Sequence, residues 1–560
     1  MNTRADNLAN DIAPCTSVEA GERWRDPHAA SQTMRAQGAL LTTEFAVFKP
    51  SEVHDEPAGA RGEEVVAILE GQFDIDAAGE HYRLVAGEAI LIPPREPRRF
   101  TCVGTKGVLY RAGTRACGRV MNHDPSEPDH LEHVVVVGAG HAGGRVVQQL
   151  VSLGFAGRIT LVGDERHSPY ERPALSKEWL TSETEPTLAA SPIVLAPAAF
   201  WEPSALRDAR VERVYERAVA LDPARRMLTL ASGKQLSFDR LVVATGGAPR
   251  DGAIPGAKRP GVHLLRTVDD SLALRRALRE SRSLAIIGAG VIGMEVASSA
   301  LDLGVPVTVL EAGDRVLARC LPPVMSEWLL REHRARGVHV ELGVTVEAID
   351  EAEERASGDA RYVVRCKALA AEQAQAPETF DVAADTILIA IGVDCAPAFL
   401  AGTGLAGRQG VDVDETCRSP NAPWLYAVGD VAHVLDRASE RGGLRQETWR
   451  NAENQALAVA QALTGHAQPY RETPWMWTDQ LGNNIQVVGQ PDPRDEVVLR
   501  GEPGAGPCTA LSVRDGRVVA GVLVNAGRER RFVEKLVASA MQVDIGRLAD
   551  PRTSLKELAA

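Results

Sequence analysis

An α/β fold with two similar halves is predicted for this chain, and three observations predict it. Two glycine-rich turns, Gly138-Ala-Gly140-His-Ala-Gly143 and Gly288-Ala-Gly290-Val-Ile-Gly293, each follow a short aliphatic run and open a segment with helical periodicity. Each is followed by a second aliphatic run that ends in an acid. Ahead of both, residues 31–120 read as short alternating runs broken by turns, the pattern of strands. The expectation is two Rossmann-like dinucleotide-binding domains, one inserted in the other, behind a small all-β unit.

In chain order, residues 1–30 are polar and mixed in charge, a flexible lead-in with no apolar segment of the kind that directs export. The β unit follows with strands at Glu64 to Leu69, a turn at Glu70-Gly71, and further strands at Phe73 to Asp76, Ala89 to Pro93 and Arg99 to Val103. Residues 121–131, polar with two prolines, are a linker. Val134 to Val137 is a buried strand, Arg145 to Leu153 its helix and Ile159 to Val162 the next strand, within a first domain part at 132–250. The inserted domain spans 251–380, with strands Leu284 to Ile287 and Val307 to Leu310 around the helix Gly293 to Leu303. Chain of the first domain returns over 381–472, near Asp385 to Gly392, and an α+β domain occupies 473–560.

The turns carry chemistry because glycine lets backbone N–H groups and the positive end of a helix come close to a pyrophosphate. Gly138, Gly140 and Gly143 would do so in the first half, and Gly288, Gly290, Val291, Ile292 and Gly293 in the second. Asp164 and Glu165 stand where one carboxylate can hold a ribose diol. Glu311 stands there in the second half; a carboxylate accepts from a 2′-hydroxyl and repels a 2′-phosphate, so NADH is expected over NADPH. Two dinucleotide sites in one chain imply FAD together with NADH.

Bulk properties narrow the partners. The 560 residues are enough for three or four domains, and a net charge of −13 argues against nucleic acid or an acidic membrane surface as partner. The most apolar stretch, Leu284 to Val305, contains glycines and Glu295, so no membrane span is expected and the cytoplasm is the expected compartment. Eight cysteines are scattered with no C-x-x-C or C-x₄-C pair, which argues against a thiol relay, a zinc site and an iron–sulfur cluster within the chain.

Glu64 to Gly71, followed by Gly87 to Arg98 with Pro93, Pro94 and Pro97, resembles the two motifs of the cupin family. That resemblance implies a cupin-like β-barrel. Metal-binding cupins carry histidines in the neighbourhoods where this chain has Ala58, Ala60 and Arg98, and His54 reads as a solvated loop residue, so no metal is expected.

Pro169-Tyr-Glu-Arg172-Pro-Ala-Leu-Ser-Lys177, Ala244-Thr245-Gly246, Tyr426-Ala-Val-Gly429-Asp430 and Pro474-Trp475-Met-Trp477-Thr-Asp-Gln480 resemble, in order and spacing, the FAD-dependent ferredoxin reductases of bacterial oxygenase systems, the group that includes rubredoxin and putidaredoxin reductases. The resemblance implies that Lys177 lies by the flavin ring, paired with Glu295, and that Asp430 binds the ribityl chain beside Gly429. It also implies flavin contacts at Ala142, Ala218, Arg266 and Trp449, with Arg172 and Arg250 at phosphate or ring edge, and it includes Gly392 in the cofactor region. Trp475 and Trp477, at i and i+2, are expected on opposite faces of a strand, one of them plain core and Trp477 on the flavin side. Electrons would pass from NADH through FAD to a [2Fe–2S] ferredoxin or a rubredoxin, from a monomer or homodimer. Arg441, Arg445, Arg528, Arg530 and Arg531 are candidates for a basic docking patch. Two other readings stay open: an NADH oxidase or disulfide reductase, and a signalling flavoprotein resembling apoptosis-inducing factor.

Overall fold

The computed structural model describes residues 34–37, 41–57, 61–77, 79–93, 96–115, 131–188, 191–352, 360–369, 378–436 and 443–559. The lead-in, residues 121–130 of the linker, Ala58, Ala60, Cys15, Cys117 and Arg441 lie outside them. Among the described residues no helix is long and apolar enough to cross a membrane.

The N-terminal unit is a seven-stranded antiparallel sheet built on two long strands, Arg61–Ala77 and Arg98–Arg115. The Glu70-Gly71 turn expected from the sequence is instead a bulge: the strand runs through it with shifts of register at Ile68/Glu70 and Glu70/Gln72, and Gly71 takes φ +82°. Alternation along the strands turns Val66, Ile68, Phe73, Ile75, Phe100 and Leu109 into one core.

One buried ionic cluster lies among these strands. The Arg98 guanidinium donates to Glu64 Oε1 at 2.5 Å, and Arg111 donates to both Glu64 (2.7 Å) and Glu56 (2.7 Å). Arg98, at the place where metal-binding cupins carry a histidine, thus holds a carboxylate with its side chain 1% exposed. His54 is exposed and lies 3.4 Å from Glu56. Removing one member of a buried ionic set strands the others. Arg111→Met is therefore expected to destabilise this unit by about 3 to 5 kcal/mol in chemical denaturation; a loss below about 1 kcal/mol would show that water or Arg98 takes over both carboxylates.

The rest of the described chain is α/β. A parallel sheet orders the strands Val211–Val214, Arg158–Val162, His133–Val137, Arg240–Val243 and Leu425–Ala427. A second, of the same strand count, orders Val262–His263, Thr386–Ile389, Leu284–Ile287, Val307–Glu311 and His339–Leu342. Thr386–Ile389 corrects the expected boundary. The sequence pattern assigns it to the returning first domain, but it pairs in parallel with Leu284–Ile287, so the inserted domain extends past 380 to the end of this strand. A strand buried along its whole length carries no mark of which of two similar sheets it will join.

The helices after the two fingerprints, His141–Ser152 and Val291–Asp302, begin inside the glycine turns, two to four residues earlier than expected. The C-terminal domain is α+β: a five-stranded antiparallel sheet with the helix Arg530–Ser539 burying Val533 and Leu536. Met294, Val296 and Ala297 of the second fingerprint helix share a core with Leu175 and Trp179 of the first domain and Ile485 and Val487 of the last. This shared packing fixes where the three meet.

Candidate active site

Three neighbouring parallel strands of the first sheet deliver their carboxyl ends to one place: His133–Val137 ends at Gly138, Arg240–Val243 at Ala244 to Gly246, and Leu425–Ala427 shortly before Gly429 and Asp430. In open α/β sheets ligands bind at such ends. The backbone there has no room for side chains. A Cβ on Gly138 (φ +112°) would stand 2.3 Å from the Ala244 carbonyl oxygen, and one on Gly143 would stand 1.8 Å from the Gly138 carbonyl oxygen. A Cβ on Gly429 (φ +74°) would press on Ala142 at 3.1 Å. Thr245 is exposed, and Ala218 starts a strand of the three-stranded sheet that shares a core with the first sheet.

The Tyr170–Arg172 motif latches this cradle. Tyr170 donates to Glu165 at 2.5 Å and accepts from the Val268 N–H at 2.9 Å. Arg172 donates to Glu165 at 2.8 Å and to the Arg266 carbonyl, and its guanidinium lies against Gly140. Burial works against the charge of Arg172, but Tyr170 and Glu165 outweigh it and raise its pKa. Of the two acids expected near the ribose, Glu165 is thus held in the cradle. Asp164 is exposed and pairs with Arg217 at 2.6 Å. Arg266, placed by the Thr267–Asp270 capping box of the helix Val268–Glu280, donates to Asp430 at 3.0 Å across Gly246. Arg250 is exposed, its N–H bonded to the Gly392 carbonyl.

Lys177 and Glu295, far apart in sequence, meet. The ammonium donates to Glu295 Oε1 at 3.0 Å and to the Pro173 carbonyl at 3.0 Å. Glu295, 4% exposed in the fingerprint helix of the other domain, also accepts from Ser176 and from Thr478 at 2.7 Å. A buried charge survives only when so many donors face it.

Aromatic side chains line the same region. Trp475 and Trp477 stack with centroids 5.2 Å apart, and Trp449 meets Trp477 edge-on at 6.1 Å. This overturns the expectation that the two tryptophans of the strand Trp475–Gln480 face opposite ways. A strand alternates with period two, so i and i+2 share a face, and neither tryptophan is plain core. Trp449 also packs on His141 at 5.5 Å, and its buried indole N–H has no partner among the described residues.

In the second cradle Gly288 takes φ +105°, and Gly290 faces open space: a Cβ there would find nothing nearer than the Ala390 carbonyl at 4.0 Å. A Cβ on Gly293 would stand 2.1 Å from the Gly288 carbonyl oxygen. Val291 and Ile292 open the helix, Ile292 exposed. Gly392 (φ +97°) follows the neighbouring strand. Glu311 accepts from the Ala289 N–H at 2.6 Å and the Gly313 N–H at 2.7 Å, so its carboxylate is fixed at the turn with lone pairs to spare.

The expected basic patch divides. Arg445 is enclosed, donating to Glu447 at 2.7 Å and to Cys395 Sγ at 2.8 Å, so it is no docking residue. Arg530 pairs with Glu534 at 3.0 Å and covers the Trp475 ring at 4.9 Å. Arg528 and Arg531 are exposed.

Sequence reasoning missed Ser176 and Thr478 as partners of Glu295, although both lie inside the motifs Pro169 to Lys177 and Pro474 to Gln480. It also missed Glu453, which accepts from His141 and Arg145 at 2.5 Å each; burial raises its pKa, but these bonds bring it below the usual carboxylate range. No spacing signals a contact across so many residues. His141, Glu171 and Glu453 stand close enough to share an ion, but Arg145 already bonds Glu453 and lies 3.6 Å from Glu171. Among the described residues the cysteines at 102, 320, 366, 395, 417 and 508 are all free.

The glycine cradles, the unpartnered Trp449 N–H and the paired Lys177 fit a flavin dinucleotide, and the second cradle fits a nicotinamide dinucleotide. A family model described as pyridine nucleotide-disulphide oxidoreductase matches residues 132–456. The chain belongs to this family. A reductase C-terminal model matches residues 475–559 and a cupin domain residues 45–110. Among its relatives, the ferredoxin–NAD(+) reductase component of the biphenyl dioxygenase system of Paraburkholderia xenovorans is 36% identical over 431 residues, which is 76% of this chain and 98% of the relative. A probable ferredoxin reductase of Castellaniella defragrans is 35% identical over 76% of this chain and 99% of the relative. The crystal structure of the ferredoxin reductase for the CYP199A2 system of Rhodopseudomonas palustris superposes with TM-score 0.68 at 32% identity, covering 77% of this chain and all of that one. The putidaredoxin reductase–putidaredoxin complex follows at TM-score 0.67 and 29%, covering 76% and 98%. The member described here is therefore an oxidoreductase that uses FAD and NAD(H), of the ferredoxin-reductase kind and with a cupin domain ahead of it.

Proposed function

We propose that this chain passes electrons from NADH, by way of FAD, to a [2Fe–2S] ferredoxin that feeds an oxygenase, an aromatic-ring dioxygenase or a cytochrome P450. The observation that carries the reading is the Lys177–Glu295 pair, which ties the motif of the first cradle to the fingerprint helix of the second. When bound, FAD supplies the chemistry that takes a hydride from a nicotinamide and releases electrons one at a time. The chain supplies the setting. Lys177 offers a positive charge in a site poor in water, Glu295 keeps that charge in place, and Asp430 with Arg266 holds the polar side of the cradle. Trp477, between Trp449 and Trp475, keeps water from the ring. The lack of a C-x-x-C pair supports a one-electron carrier over a disulfide as the acceptor, and the exposed Arg528 and Arg531 suit an acidic one.

With NADH and a purified [2Fe–2S] ferredoxin, cytochrome c reduction is expected to depend on the ferredoxin and to fall roughly tenfold between low salt and about 0.5 M salt. Equal rates with the ferredoxin omitted would refute the proposed acceptor, and a rate indifferent to salt would refute the charged docking.

Nicotinamide choice is placed on Glu311. Glu311→Ala is expected to lower the preference for NADH over NADPH by about tenfold in kcat/KM, the equivalent of about 1.4 kcal/mol. An unchanged ratio would move the choice to other residues.

A further inference from the structure

A buried row of hydrogen bonds leads from Glu295 away from Lys177, through side chains the proposed reaction does not use. Thr478 Oγ1 lies 2.7 Å from Glu295 Oε1, Gln480 Nε2 lies 2.9 Å from Thr478 Oγ1, and His333 Nε2 lies 3.0 Å from Gln480 Oε1. Thr478 and His333 have no exposed surface, and Gln480 is 1% exposed. The links come from three elements: the fingerprint helix Val291–Asp302, the strand Trp475–Gln480 and the helix Pro323–Ala335. The strand carries the tryptophans on one face and Thr478 and Gln480 on the other.

The direction of every bond in this row is forced. An ionised carboxylate can only accept, so Thr478 must give its one proton to Glu295. The Thr478 oxygen then has lone pairs left for Gln480, which must present its NH₂ group. That turns the Gln480 carbonyl toward His333, which must donate from Nε2. His333 Nδ1, the acceptor nitrogen of that neutral tautomer, has no partner among the described residues. Burial pushes the pKa of His333 down to about 4, so the ring is neutral at pH 7.

We propose that Thr478 is the positioning residue of this site: by donating to Glu295 Oε1, with its direction fixed by Gln480 and His333, it holds the carboxylate that places the Lys177 ammonium beside the bound flavin. This rests on the reading of Lys177 given above. Without Thr478, Oε1 keeps Lys177 alone among the described residues, and the carboxylate is free to rotate toward Ser176 and draw the ammonium with it.

The test uses full-length, FAD-loaded protein and reads the midpoint potential of the flavin alongside its reduction by NADH. Thr478→Val keeps the shape and removes the donor. It is expected to move the potential to more negative values and to slow reduction about tenfold at saturating NADH with KM for NADH unchanged. Thr478→Ser restores both. Should Thr478→Val lose its flavin, Gln480→Glu is read instead; its carboxylate draws the Thr478 proton away from Glu295, and the same shift is expected. Lys177→Met separates the two readings. A shift in Lys177→Met with none in Thr478→Val or Gln480→Glu overturns the role of Thr478 alone. No shift in any of them overturns the placement of Lys177, and this inference with it.

Discussion

Lys177→Met is expected to slow reduction of the bound flavin by NADH about a hundredfold, the usual cost of removing one preorganised charge from the place where opposite charge develops. The side chain is 16% exposed and its partner Glu295 5%, so the ammonium acts with little screening by water. Its loss does more than subtract a positive charge. The Glu295 carboxylate would remain, held by Ser176 and Thr478 and no longer balanced, and would oppose electron uptake nearby. Lys177→Met alone is also expected to destabilise the fold, because a buried carboxylate loses its counter-ion. The double variant Lys177→Met/Glu295→Gln removes that charge and should recover thermal stability while leaving reduction slow. Stopped-flow reduction followed by flavin absorbance gives the answer; a rate within about threefold of the parent in the double variant would remove Lys177 from the chemistry.

Gly143→Ala is expected to yield a chain that purifies almost colourless, with flavin content lowered at least tenfold. The added Cβ would stand 1.8 Å from the Gly138 carbonyl oxygen and 3.3 Å from the Ala244 Cβ. Both belong to the turns that form the cradle, and a collision with backbone cannot be relieved by a rotamer change. The helix His141–Ser152 must then move off its strand, taking the positive end of the helix away from the pyrophosphate. Gly407→Ala is the control. Nothing lies within 4 Å of a Cβ there and the backbone does not take a positive φ, so that variant should remain yellow. A yellow Gly143→Ala with the parent's flavin content would show that the first fingerprint does not hold the cofactor.

Much of this site is legible in the chain because glycine and short aliphatic runs report local backbone demands. Spacing alone singles out Gly138, Gly143, Gly288 and Gly293, and each stands where a Cβ would strike a carbonyl. The strand Leu284–Ile287 is legible to the residue, since a buried strand beside a glycine turn has sharp ends. The tryptophans are misjudged only when the two-residue period is misapplied. Other residues fail for a deeper reason. Nothing near Arg445 distinguishes a solvated arginine from one enclosed by Glu447 and Cys395. Likewise nothing near Asp164 and Glu165 says that Arg217 draws the first outward while Tyr170 and Arg172 hold the second.

The two cradles, their order, the kinship they imply and the absence of a cysteine pair can all be read along the chain, because each depends on residues close together in it. That Thr386–Ile389 joins the inserted sheet, that Trp449 meets Trp477, and that Ser176, Lys177 and Thr478 converge on Glu295 becomes visible in the folded chain alone. The difference is physical. A turn is specified by the steric limits of its own few residues, whereas the partners of a buried charge are chosen by how three domains share one core, and no local pattern encodes that choice.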